Sequence, residues 1–133
     1  MKKLFFALMA CVAMFAFSSC NEKVESQIFD LGYEVGDLGA GTAQLYELTY
    51  KPMIIEALSK VAQPVTESET TFMINNSTPA AAKQVMKGAF DNGTAAAQKL
   101  AGDESLLKGL KVTLKHSSAS NHQPVDFLEY TFK

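Results

Sequence analysis

The sequence predicts an α+β domain, an antiparallel or mixed sheet of about four to five strands with two helices on one face. Three observations lead there. Runs of apolar residues at every second position recur between Phe29 and Phe132, as in strands with one buried face. Two other stretches carry apolar residues at steps of three and four, the period of a helix packed on one side. The elements succeed one another as β-β-α-β-α-β-β, an order that suits helices gathered on one face of a sheet. The chain of 133 residues has room for one ordinary domain. It divides into a leader over 1–19, a short tether over 20–26 and a single domain over 27–133, with no internal repeat or low-complexity tract.

Phe29, Leu31, Tyr33 and Val35 alternate with Asp30, Gly32, Glu34 and Gly36, which reads as a first strand. A competing helical stripe joins Ile28, Leu31, Val35, Leu38, Thr42 and Leu45, but it places Gly32, Gly36, Gly39 and Gly41 inside a helix at about 1 kcal/mol each. Tyr46, Leu48 and Tyr50 alternate again, so the glycine-bearing stretch between is expected to turn a β-hairpin. Pro52 opens a short helix with Ile54, Ile55, Leu58 and Val61 as its stripe, and Pro64 stops it. A polar connection over 65–70 leads to a short strand around Phe72 and Ile74. Thr78 as N-cap and Pro79 at the first helical position then begin a long helix whose stripe runs through Val85, Met86, Ala89, Phe90, Gly93, Ala96, Ala97 and Leu100. The alanines of that helix allow close approach to the sheet. Asp103 is placed to cap one further turn. Leu110, Val112 and Leu114 mark a strand, residues 116–124 a polar loop, and 125–132 a closing strand that reads as well covered because it is apolar on both faces at its start.

Upstream, Met1, Lys2 and Lys3 form a positive n-region, and the fourteen residues from Leu4 to Phe17 are apolar. That is the pattern of a secretory signal peptide. The stretch is shorter than the roughly 17 residues a spanning helix needs, and no positive stop-transfer flank comes after it. Phe17, Ser18, Ser19 and Cys20 resemble the lipobox of bacterial lipoproteins, with Phe17 where that family usually has leucine. The resemblance covers the first 20 residues. It implies a diacylglyceryl-modified, N-acylated Cys20 that anchors the exported chain to a membrane. Asn21, where aspartate would signal inner-membrane retention in enteric lipoproteins, favours the outer membrane, and Glu22, Lys23, Val24 and Glu25 loosely resemble the acidic tethers of surface lipoproteins in Bacteroidetes. No family resemblance extends to the domain itself. Cys11 leaves with the leader, so after lipidation of Cys20 no cysteine is left for a disulfide, a thiolate nucleophile or a zinc site.

All twelve basic residues are lysine, and without Lys2 and Lys3 the formal charge moves from −2 to −4, which argues against nucleic acid as a partner. Ser117, Ser118, Ser120, His122 and Asp126 contain the residue types of a hydroxyl nucleophile, its base and an orienting carboxylate. They crowd into one loop, and no nucleophile elbow is present, so the loop reads as a polar connection. His116 and His122, with Asp126 or Glu129, are weak metal candidates because two histidines six apart match no zinc spacing. Gly36, Gly39 and Gly41 lack the Gly-Lys-Ser/Thr of a phosphate loop and read as a flexible turn. Tyr33, Tyr46, Tyr50 and Tyr130 offer either an aromatic platform for sugars or peptides or part of the core, and their apolar neighbours favour the core. Lys83 and Lys87 mark the solvated face of the long helix. No cofactor is implied. The expected function is a lipid-anchored, non-enzymatic module that meets an envelope protein or glycan, and the alternative is a small hydrolase or metal-dependent enzyme built on the Ser117 to Asp126 loop.

Overall fold

The central strand of the domain is its first, β1 (Glu25–Glu34). The structure, a computed structural model, describes residues 23–102 and 106–133. The leader, Cys20 and the Asp103 cap therefore lie outside the described residues. Gln27, Phe29 and Leu31 on β1 are buried, and the residues between them are only partly so, as period-two alternation requires when one face is covered. After β1 come α1 (Ala40–Leu45), a π-helical turn (Tyr46–Tyr50) and α2 (Lys51–Ser59) in one unbroken helical run. The two-residue strand β2 (Gln63–Pro64), β3 (Thr71–Ser77), the long α3 (Pro79–Ala101), β4 (Lys111–Ser118) and β5 (Val125–Thr131) complete the chain. The sheet order is β2-β3-β1-β4-β5, and every pairing is antiparallel. The expected α+β class, with its five strands and helices on one face, is the architecture observed.

Phe29 stands opposite Phe72 on β3 and His116 on β4, and Leu31 stands opposite Leu114. These side chains and their neighbours form the core with Tyr46, Tyr50, Ile54 and Leu58 from the helical run, Met86, Ala89 and Phe90 from α3, and Phe132. Full burial of Phe29, Phe72, Phe90 and Phe132 contributes about 1.5–3 kcal/mol for each ring. The other sheet face carries Ile28, Asp30, Met73, Thr113, Lys115 and Glu129, none of them buried, beside the buried Ser117 opposite Ile28.

The expected hairpin is replaced by helix. Gly36 and Gly39 have positive φ, 56° and 93°, and end the strand in a turn instead of interrupting a helix, so only Gly41 bears the helical cost. Thr42, Tyr46, Tyr50, Ile54 and Leu58 then recur at every fourth residue and all are buried. In a pure α-helix such a stripe drifts by about 40° per step. The wider π turn takes up that drift and keeps both tyrosines inward. Leu48, between them in the supposed strand, is 72% exposed. The element order is accordingly β-α-β-β-α-β-β.

Packing makes three smaller corrections. Thr78 caps α3 as expected, its hydroxyl accepting from the Ala81 amide at 3.2 Å, and the helix runs without a break through Asn92 and Gly93. Its closest approach, though, is to α2: a Cβ on Gly93 would lie 3.1 Å from both the Ile54 Cα and the Ala57 Cβ. Strand β4 continues through His116 to Ser118, because Gln27, Ile28 and Phe29 of β1 supply its partners, and the loop shrinks to 119–124. Strand β5 is an edge rather than a covered strand, with Val125 61% exposed. The β4–β5 register shifts beside Leu114 and Lys115, and Phe127 and Leu128 both pack against the core, so the apolar pair needs no second covering layer.

Candidate functional site

The serines, histidine and aspartate that resemble a catalytic set are not assembled as one. Ser117 and Ser118 are buried on β4, Asp126 is exposed on β5, and His122 is exposed in the loop with no hydrogen-bond partner among the described residues. The Ser120 hydroxyl donates to a Glu25 carboxylate oxygen at 2.6 Å. That bond is the main reason the Glu25 pKa is lowered from its ordinary value. Among the described residues no group of three or more His, Cys, Asp and Glu is placed to hold a metal ion. The weak metal candidates therefore stay apart: His116 sits inside the sheet, His122 in solvent, and Glu129 faces Lys111 at 3.7 Å.

His116 has an assigned structural place. The fully buried Gln27 donates its amide to the Ser77 carbonyl at 2.9 Å, which leaves its oxygen facing the ring and accepting from His116 Nε2 at 2.8 Å. The ring lies 5.1 Å from that of Phe29. Burial, and secondly the charge of Lys83, push the His116 pKa below its ordinary value, because both disfavour the imidazolium. Lys83, expected on a solvated face, instead places Nζ 5.5 Å over the Phe127 ring. Lys87 behaves as expected, pairing in solvent with Asp91 at 2.8 Å.

A second polar cluster escaped the sequence reading. Lys51 Nζ reaches Glu47 at 2.6 Å and Glu69 at 3.1 Å, and the Tyr33 hydroxyl donates to the other Glu47 oxygen. The signal was present: Glu47 and Lys51 are four apart, an ion-pair spacing on a helix, hidden by reading the segment as a strand. The contacts from Lys51 and then Tyr33 lower the Glu47 pKa. Burial opposes the charge on Lys51, but its pairs with Glu47 and Glu69 outweigh it, and its pKa is raised. The Tyr33 pKa is raised, chiefly because its hydroxyl is bonded to Glu47. Next to this cluster the Tyr46 hydroxyl is buried with no hydrogen-bond partner among the described residues, and burial drives its pKa far upward.

The tyrosines form no open platform. Tyr46, Tyr50 and Tyr130 surround Phe132 with centroid distances of 6.5, 6.1 and 5.4 Å, and Tyr33 lies 4.7 Å from Tyr46. Tyr130 also borders a groove. This shallow concavity of about 480 Å³ between α3 and β5 is lined by Asp91, Thr94, Ala95, Gln98, Lys99 and Tyr130. Gln98 Oε1 accepts from the Tyr130 hydroxyl at 2.6 Å and from the Lys133 amide at 2.9 Å, and the Thr94 hydroxyl donates to the Phe90 carbonyl at 2.9 Å. These hydrogen bonds fix the side chains of Thr94, Gln98 and Tyr130 along the groove. Compared with protein-family models, curated proteins and solved structures, the chain matches none.

Proposed function

We propose that the chain is an exported lipoprotein, held to the outer membrane by lipids on Cys20, and that its folded part is a small non-enzymatic interaction module. The observation that carries this reading is the leader: Lys2 and Lys3, the apolar stretch from Leu4 to Phe17, and small residues immediately before the last cysteine of the chain. The chain beyond Cys20 suits an anchored module. A continuous core needs no disulfide, strand β1 starts five residues beyond the cysteine, and the α3–β5 groove is a concave surface for an envelope partner. The catalytic alternative has less to rest on, since Ser120 is committed to Glu25 and His122 bonds no serine among the described residues.

The test is the mass of the mature N-terminal peptide of full-length protein from a lipoprotein-processing bacterial host. The expected product begins at Cys20 and carries a diacylglyceryl group and an acyl chain, and Cys20→Ala leaves the membrane fraction unprocessed or unlipidated. An unmodified Cys20 in the mature native protein refutes the reading.

A further inference from the structure

We propose that the end of the sheet where β1 begins is the face this protein lays against the lipid surface that holds it. The inference rests on the Cys20 anchor proposed above. Cys20 precedes Glu25 by five residues, a reach of at most about 17 Å. The eight residues of β4 span about 24 Å, so the tether is shorter than the sheet is tall, and the opposite end cannot stand in for this one.

The tether's root is bonded to the loops around it. The Ala119 amide donates to the Ser26 carbonyl at 3.0 Å, the Ser26 hydroxyl to Asn75 Oδ1 at 2.7 Å, and the Ser120 hydroxyl to Glu25 at 2.6 Å. Whatever brings Glu25 to a bilayer therefore brings the 119–124 loop and the Asn75–Thr78 connection with it.

The composition of this end fits a headgroup layer. The stretches from Ser117 to Val125 and from Asn75 to Ala82 contain no Asp, Glu, Lys or Arg, only Ser, Thr, Asn, Gln, His, Pro and small apolar residues. At the other end of the sheet stand Glu34 opposite Lys111, with Asp37, Lys108 and Lys133 in the flanking segments. A chain of net negative charge is repelled by an anionic leaflet, and charges pressed into the acyl boundary are costly. This end is poorer in charge, with Lys23 and Glu25 at the tether's root and Asp126 just past the 119–124 loop, and it keeps hydrogen-bonding groups for the interface. Val24, 45% exposed, adds apolar area at this end.

The experiment uses full-length lipidated protein in vesicles of phosphatidylethanolamine and phosphatidylglycerol that contain bromine-labelled lipid. Because the thioether at Cys20 consumes the only mature thiol, His122→Cys and Lys108→Cys each provide one attachment point for a fluorophore. Both positions are exposed. Quenching at residue 122 is expected to exceed that at 108 at least threefold. Equal quenching, as for a domain lying on its side, or the reverse order overturns the orientation while leaving the anchor intact. Absence of lipid on Cys20 by mass overturns both together.

Discussion

Replacing Tyr46 with Phe should stabilise this protein, an uncommon direction for a fully buried position. The Tyr46 ring packs 4.7 Å from Tyr33 and 6.5 Å from Phe132, and phenylalanine keeps those contacts. The substitution removes a hydroxyl that is buried without a hydrogen-bond partner among the described residues. A buried polar group left unsatisfied costs about 1–3 kcal/mol. The space left by one oxygen, at most ~15 Å³, costs about 0.4 kcal/mol as a cavity. The expected balance is a gain of about 1 kcal/mol, equivalent to a rise of about 4–8 °C in Tm for a domain of this size. Urea denaturation at pH 7, comparing midpoints at unchanged slope, measures it. Tyr33→Phe is the control of opposite sign, because it removes the donor to the Glu47 carboxylate. A loss of about 1 kcal/mol or more in Tyr46→Phe would refute the reasoning, since it would mean the hydroxyl is satisfied, for instance by an enclosed water.

Packing and charge each give a further expected outcome. On α3, Gly88→Ala meets nothing within 4 Å and should stabilise by about 0.5–1 kcal/mol, whereas Gly93→Ala forces a methyl against the α2 backbone and should cost about 1–3 kcal/mol; equal effects by denaturation would show that the helix crossing is looser than described. For His116, the folded pKa is depressed by burial and then by Lys83, so its contribution to stability is present above the ordinary value of 6.5 and is lost as pH falls through the folded value. His116→Gln should flatten stability against pH below 6.5, and in an NMR titration Lys83→Gln should move the His116 midpoint upward; an unmoved midpoint would remove Lys83 from the account.

Much of the framework was legible because it rests on local signals. Thr78 with Pro79 announces the start of α3, and alternation through Phe29, Leu31, Leu110, Val112 and Leu114 announces strands whose one covered face never changes. The segment from Tyr46 to Tyr50 was not legible in the same way. Tyrosines two turns of alternation apart satisfy a strand, and tyrosines four apart in the series from Thr42 to Leu58 satisfy a helical stripe only if a π turn absorbs the drift. Misreading it hid the Glu47–Lys51 pair, whose spacing means something only on a helix.

Residue order alone was enough for the α+β class, the start of α3 and the lack of arginine, since composition and short-range periodicity are properties of neighbouring residues. Only the folded chain could decide that His116 bonds Gln27, that Ser120 is claimed by Glu25, that Lys83 lies over Phe127 and that Gly93 lets α3 touch α2. The two partners in each of these contacts lie tens of residues apart along the chain. Which partner a polar side chain finds is settled by how the β1–β4 register and the helix crossing bring such distant segments within reach of a hydrogen bond, and no window of neighbouring residues records it.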